Sequence, residues 1–141
     1  MIVQVVSIPG YHWKIKLYYA VTEYWTDVIM DDLRSIGIEG KDEVDAYDNL
    51  SSGELDNGIT YSNEEFRKSI IVVGKTSSGA EFYNSISHEL DHLGEQIFPI
   101  LGIEFGSEEA AYFKGNLALK MFPKISHLMC DCCRKKMKIE G

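Results

Sequence analysis

Two runs rich in Val, Ile and Tyr, residues 2–8 and 11–21, flank Pro9-Gly10, a turn signal, and predict an N-terminal β-hairpin. From Thr22 the rhythm changes. Trp25, Val28, Ile29, Leu33 and Ile36 recur at spacings of three and four, with Thr22 placed to cap a helix and Gly37 to end it. A shorter helix is expected over 41–50, with Val44, Tyr47 and Leu50 on one side. Turn residues at Gly53, Asn57-Gly58 and Ser62-Asn63 then bracket a short Ile-Thr-Tyr strand, and the apolar run 69–74 reads as a buried strand. Ser78 and Glu81 have the form of a capping box, and Phe82, Ile86, Leu90, Leu93 and Ile97 behind them predict a helix over about 78–98. Pro99 and Gly102 break the pattern. Ser107 can cap a last helix with Ala111, Tyr112, Gly115, Leu119 and Phe122 as its inner stripe up to Pro123. The expected fold is α+β: a small mixed or antiparallel sheet packed on helices, as one domain over 1–125 with a polar, cysteine-bearing tail over 126–141.

Composition narrows the partners. The chain has 141 residues, 45% of them hydrophobic, which suits one domain with a real core. A formal charge of −8 disfavours nucleic acid and favours cationic partners. No basic leader precedes the first strand and no apolar stretch is long enough to cross a bilayer, so a soluble, cytoplasmic protein is expected. Cys130, Cys132 and Cys133 are crowded near the C-terminus, where they cannot staple distant elements, and this fits a reducing compartment.

The stretch Ser87-His88-Glu89-Leu90-Asp91-His92 carries the chemistry. On a helix, residues four apart share a face one turn from each other, so His88 and His92 can direct imidazole nitrogens at one zinc ion. Glu89, rotated by about 100°, can take a proton from water on that ion as a general base. A charged helix can spell this triplet by chance. Here it lies on the strongly amphipathic helix directly after the buried-looking strand. A catalytic zinc needs a third protein ligand and one open position. The metzincin pattern would place Gly and His where Glu95 and Phe98 stand, so that class is excluded. A carboxylate from the next helix is the gluzincin solution, and Glu108 and Glu109 begin that helix. Helical phase puts Glu108 with Ala111, Tyr112, Gly115 and Leu119, and Glu109 with Phe113, Asn116 and Lys120. Glu108 is therefore the favoured third ligand, with Glu109 and then Glu104 behind it. Acids in a helix's first turn are also favoured by the macrodipole without any metal.

Together, His88-Glu89-Leu90-Asp91-His92 and Glu108-Glu109-Ala110-Ala111-Tyr112-Phe113 resemble the small gluzincin-type metallopeptidases of phages and mobile elements, the ImmA/IrrE-like group. The resemblance covers roughly residues 58–122. It implies a zincin-like fold, with a few-stranded sheet, an active-site helix bearing two ligands and a following helix bearing the glutamate. It also implies Zn2+ as cofactor and proteins or peptides as substrates, members of the better-known group acting on regulatory proteins such as repressors. This chain has Ala111-Tyr112 where the group commonly has Ala-Asn, and its 141 residues are expected to hold no DNA-binding companion domain.

Residues 69–74 are a candidate for pairing with an extended substrate, or else an interior strand. Tyr112, Tyr83 and His127 are candidate donors to an oxyanion. Gly74-Lys75-Thr76 suggests a phosphate loop, but the pattern needs glycine where Ser69 stands, so nucleotide binding is rejected. The spacing of His127, Cys130, Cys132 and Cys133 matches neither usual zinc pair. The leading expectation is a zinc-dependent peptidase; the alternative is a catalytically silent, acidic zincin scaffold of a phage or mobile element that binds a host protein.

Overall fold

The computed structural model describes residues 1–53 and 58–136. Among them, a four-stranded mixed sheet is covered by helices on both faces. Strands β1 (Ile2–Ile8) and β2 (Trp13–Val21) form the expected hairpin, turned by a 3-10 segment over Pro9–Tyr11 and by His12 in the left-handed region at φ 53°. Strand β4 (Lys68–Gly74) runs parallel to β2, and β3 (Ile59–Asn63) pairs antiparallel with β4, giving the order β1-β2-β4-β3. The apolar run 69–74 is thus an interior strand, hydrogen-bonded on both sides and unavailable to an incoming peptide. The sheet's edges are β1 and β3.

Helices α1 (Thr26–Ser35) and α2 (Gly40–Ser51) fill the crossover from β2 and cover one face, with Ile29, Met30, Leu33, Ala46 and Leu50 buried on Tyr18, Ile70 and Val72. Thr22 does not cap α1; a 3-10 turn over Glu23–Trp25 intervenes, and Val28, Val44 and Tyr47 face solvent instead of the core. Helices α3 (Gly79–Leu101) and α4 (Glu108–Met129) cover the other face, on Ile15, Leu17, Tyr19, Ile71 and Val73. Ser78 caps α3 as its sequence predicts, accepting from the Glu81 amide at 3.1 Å.

Both long helices pass the prolines expected to stop them. Pro99 lies inside α3, which ends at Gly102 with φ +72°, and Pro123 lies inside α4. An interior proline costs about 3 kcal/mol through its missing donor and ring clash. Beyond Pro123 the buried stripe continues through Ile125 and Leu128, and their burial, at roughly 1.5–3 kcal/mol each, offsets that cost. The inner stripe of α4 is Ala110, Phe113, Leu117, Met121, Ile125 and Leu128. The expected stripe is out of phase: Tyr112, Leu119 and Phe122 are 66%, 76% and 58% exposed. Residues 126–129 complete α4, and α5 (Asp131–Lys136) docks back on α3, where Asp131 Oδ1 accepts from the Gly79 amide at 2.7 Å and Arg134 donates to the carbonyls of Thr76 and Leu128.

On the α1 side, Asp32 accepts from the Tyr18 hydroxyl and pairs with Lys16 at 2.9 Å. Partial burial pushes the Asp32 carboxyl up, but the Tyr18 and Lys16 contacts outweigh it and hold it below the usual value of 3.8. A depressed carboxylate pKa stabilises the fold above the unfolded value and loses that contribution as pH falls. In urea melts, the stability gap between wild type and Asp32→Asn is therefore expected to be open at pH 6 and to narrow toward pH 3. A gap that does not change with pH would count against the pairing.

Candidate functional site

The site grows from α3. Its sheet-facing stripe is Phe82, Ile86, Glu89, Leu93 and Ile97, so a carboxylate occupies a position where the pattern calls for an apolar residue. Glu89 is 2% exposed and accepts from the Thr60 hydroxyl of β3 at 2.8 Å. Room for it exists because residue 58 is glycine: a Cβ there would lie 3.1 Å from Glu89 Cδ and 2.3 Å from the Val72 carbonyl oxygen. Thr60 belongs to a polar seam between α3 and the sheet. Trp13 Nε1 donates to Ser69 Oγ at 2.9 Å, Ser69 and Ser62 share a hydrogen bond at 2.7 Å, and Ser62 donates to Gln96 Oε1 at 2.7 Å. Gln96 Nε2 then donates to the Thr60 carbonyl at 2.7 Å. Every link has a partner, which is what makes burial of these polar groups tolerable. The sequence shows these residues only as polar positions in strands, and their pairing depends on a register that no local pattern encodes.

His88 and His92 stand together on the adjoining flank of α3. Their Nε2 atoms are 3.1 Å apart and their rings meet edge to face, with centroids at 4.6 Å. Two nitrogens bound to one zinc at about 2.0–2.1 Å under a tetrahedral angle would lie about 3.3 Å apart, close to this separation, which is also that of a hydrogen bond between the two rings. The other nitrogen of His92, Nδ1, lies 3.7 Å from Glu95 Oε2, too far for a hydrogen bond, with both side chains exposed.

The expected third ligand is not beside this pair. Phe98, which packs its ring on Phe113 of α4 at 5.4 Å, leaves α3 about 120° round from His92, so α4 lies on a different flank. Phe98 stands against Phe113, so Glu108, five residues before Phe113 on the antiparallel α4, lies toward the C-terminal end of α3 and beyond the histidines. Glu108 is exposed at the start of α4, Glu109 accepts from the Tyr11 hydroxyl at 2.8 Å, and Glu104 lies in the loop before them. The phase argument that favoured Glu108 over Glu109 fails with the stripe it rests on. Among the described residues, no group of three or more His, Cys, Asp or Glu side chains stands close enough to hold a metal. The described residues therefore bring two histidine nitrogens together with no third donor beside them.

Compared with protein families, curated proteins and solved structures, the chain matches none.

Tyr83 leaves α3 about 140° round from His88 and is 62% exposed, Tyr112 is exposed on α4, and His127 is exposed near the end of α4. None of the three is brought to the histidines. The phosphate-loop reading fares no better. The amides that would cradle phosphate at the start of α3 are taken: Gly79 N–H donates to Asp131, Glu81 N–H to Ser78, and Ser77 N–H to Glu81 Oε2 at 3.2 Å. Openings do flank the histidines along α3. A crevice of about 570 Å³ at the C-terminal ends of β2 and β4 is lined in part by Asn84 and Ser85, and a groove of about 290 Å³ along β3 reaches Gln96. His88 and His92 lie between them. No helix among the described residues is long and apolar enough to cross a membrane.

Proposed function

We propose that the chain is a zinc-dependent peptide hydrolase in which His88 and His92 hold the ion and Glu89 is the proton acceptor. The observation that carries this reading is the 3.1 Å approach of the two Nε2 atoms, on the helix whose next residue after His88 is a carboxylate. A bound zinc ion supplies Lewis acidity that eases the deprotonation of water. The rest falls to this chain's own side chains. Thr60 fixes one oxygen of Glu89, and the wall of β3 excludes water from behind it. Peptide as substrate, a glutamate of the following helix as third ligand, with Glu108 as the candidate and Glu109 behind it, and a phage or mobile-element setting come from the resemblance of the two motifs. Ligation by Glu108 requires the first turn of α4 to move toward the histidines.

Two observations favour the alternative, a silent scaffold that binds a partner protein: among the described residues no third donor converges, and Glu89 is already engaged by Thr60. Incubating the zinc-loaded chain with an unfolded protein and mapping new N-termini separates the two. The hydrolase reading expects cleavage that chelator abolishes and that Glu108→Gln lowers by tenfold or more. Zinc retention with no cleavage supports the silent scaffold. Full zinc content and activity in Glu108→Gln would place the third ligand elsewhere.

A further inference from the structure

We propose that Cys130 and Cys133 form a reversible redox pair, in which Cys130 attacks a small-molecule disulfide and Cys133 resolves the mixed disulfide that results. The two are separated by Asp131 and Cys132, the C-x-x-C spacing at which one helical turn brings two sulfurs together. That turn is formed. Cys130 follows α4 in extended backbone, at φ −96° and ψ 115°, and its carbonyl accepts the Arg134 amide at 2.9 Å. Cα atoms three apart on such a turn lie about 5 Å from each other, inside the span of roughly 4.4–6.8 Å that a disulfide bridges. Cys133 stands about 60° round the turn from Cys130, whereas Cys132 stands about 200° round, on the far side.

The pair is held by the fold. Asp131, between the two cysteines, accepts from the Gly79 amide at 2.7 Å, and Arg134, directly after them, donates to the carbonyls of Thr76 and Leu128. Cys130 and Cys133 are free thiols, the first exposed and the second half-buried. Their surroundings divide the roles. The Cys130 sulfur accepts from the Cys133 amide, the Cys133 thiol and the Cys132 amide, which outweigh the nearby Asp131 charge and hold its pKa below that of an ordinary thiol. Donating to Cys130 pushes the Cys133 thiol up. Cys130 is thus the more readily ionised and more accessible sulfur, as an attacking thiol must be, and Cys133 is the neighbour that resolves. In the first step the Cys130 thiolate attacks one sulfur of the disulfide, whose S–S bond breaks and whose other half leaves as a thiolate. Cys133 then loses its proton, attacks the Cys130 sulfur and displaces the remaining half. Two electrons pass from the protein dithiol to the small disulfide, and the two protein thiol protons end on the two released thiols. No part of this rests on the hydrolase reading.

The test uses the full chain, reduced and then freed of reductant in the presence of chelator, with oxidised glutathione as the disulfide. Acid quenching, alkylation and peptide mapping by mass spectrometry should show a Cys130–Cys133 disulfide within one chain and no glutathione left on the protein. Cys133→Ser should stop with glutathione bound to Cys130, and Cys130→Ser should consume oxidised glutathione roughly tenfold more slowly or worse. Cys132→Ser should react as wild type does. Mixtures of reduced and oxidised glutathione should give the same oxidised fraction from either starting state. In guanidinium, where the turn is lost, the preference for Cys130 over Cys132 should vanish. The Asp131 and Arg134 anchors remain in every variant. No reaction, a product that pairs Cys132, glutathione retained on wild-type Cys130, an unchanged rate in Cys130→Ser, a slowed one in Cys132→Ser, oxidised fractions that differ with the starting state, or the same selectivity in the unfolded chain would each overturn the proposal.

Discussion

Glu89→Gln is expected to lower zinc-dependent peptide hydrolysis by roughly 10²- to 10⁴-fold, the range for loss of a general acid–base group, while thermal unfolding stays close to wild type. The two halves of this expectation have different causes. Glutamine keeps the size of glutamate and an oxygen that can accept from Thr60, so the contact at 2.8 Å and the packing against Gly58 survive. What it loses is the capacity to take a proton. A structural role alone would leave turnover as well as stability unchanged. Hydrolysis assays paired with calorimetry on the same preparations decide between them.

Gly79→Ala is expected to destabilise the fold by about 2–3 kcal/mol, at the upper end of the overpacking range. A Cβ at residue 79 would lie 1.9 Å from the Met129 carbonyl oxygen and 2.6 Å from its carbon, so the end of α4 must shift. That shift also disturbs the bond from the Gly79 amide to Asp131, by which α5 docks on α3. For a chain of this size the melting temperature should fall by about 5–10 °C. A melting temperature within a degree of wild type would contradict the close approach of α4 to the first turn of α3.

Much of this arrangement is legible from spacing. The hairpin at Pro9-Gly10, the capping box at Ser78, and the placement of His88 and His92 on one face follow from local rules. The prolines mislead because their cost is local, whereas the stripe through Ile125 and Leu128 that outweighs it is tertiary. The α4 stripe is misread because Tyr112, Leu119 and Phe122 are apolar yet exposed, so counting apolar residues selects the wrong phase. That error carries into the ligand choice, since Glu108 is favoured only by sharing their face. The seam joining Trp13, Ser69, Ser62, Gln96, Thr60 and Glu89 depends on the pairing of β3 with β4 and on the lie of α3 across it. The edge position of β3 likewise follows from strand order and from no motif.

Whether the two imidazoles share an ion decides between a zinc hydrolase and an inert helix face. Elemental analysis of protein purified without added metal should find about one zinc per chain in wild type and essentially none in His88→Ala or His92→Ala. Both histidines are solvent-facing, so neither substitution should unfold the chain. Wild-type protein without zinc, even after loading and desalting, or equal zinc in the histidine variants, would contradict a shared ion.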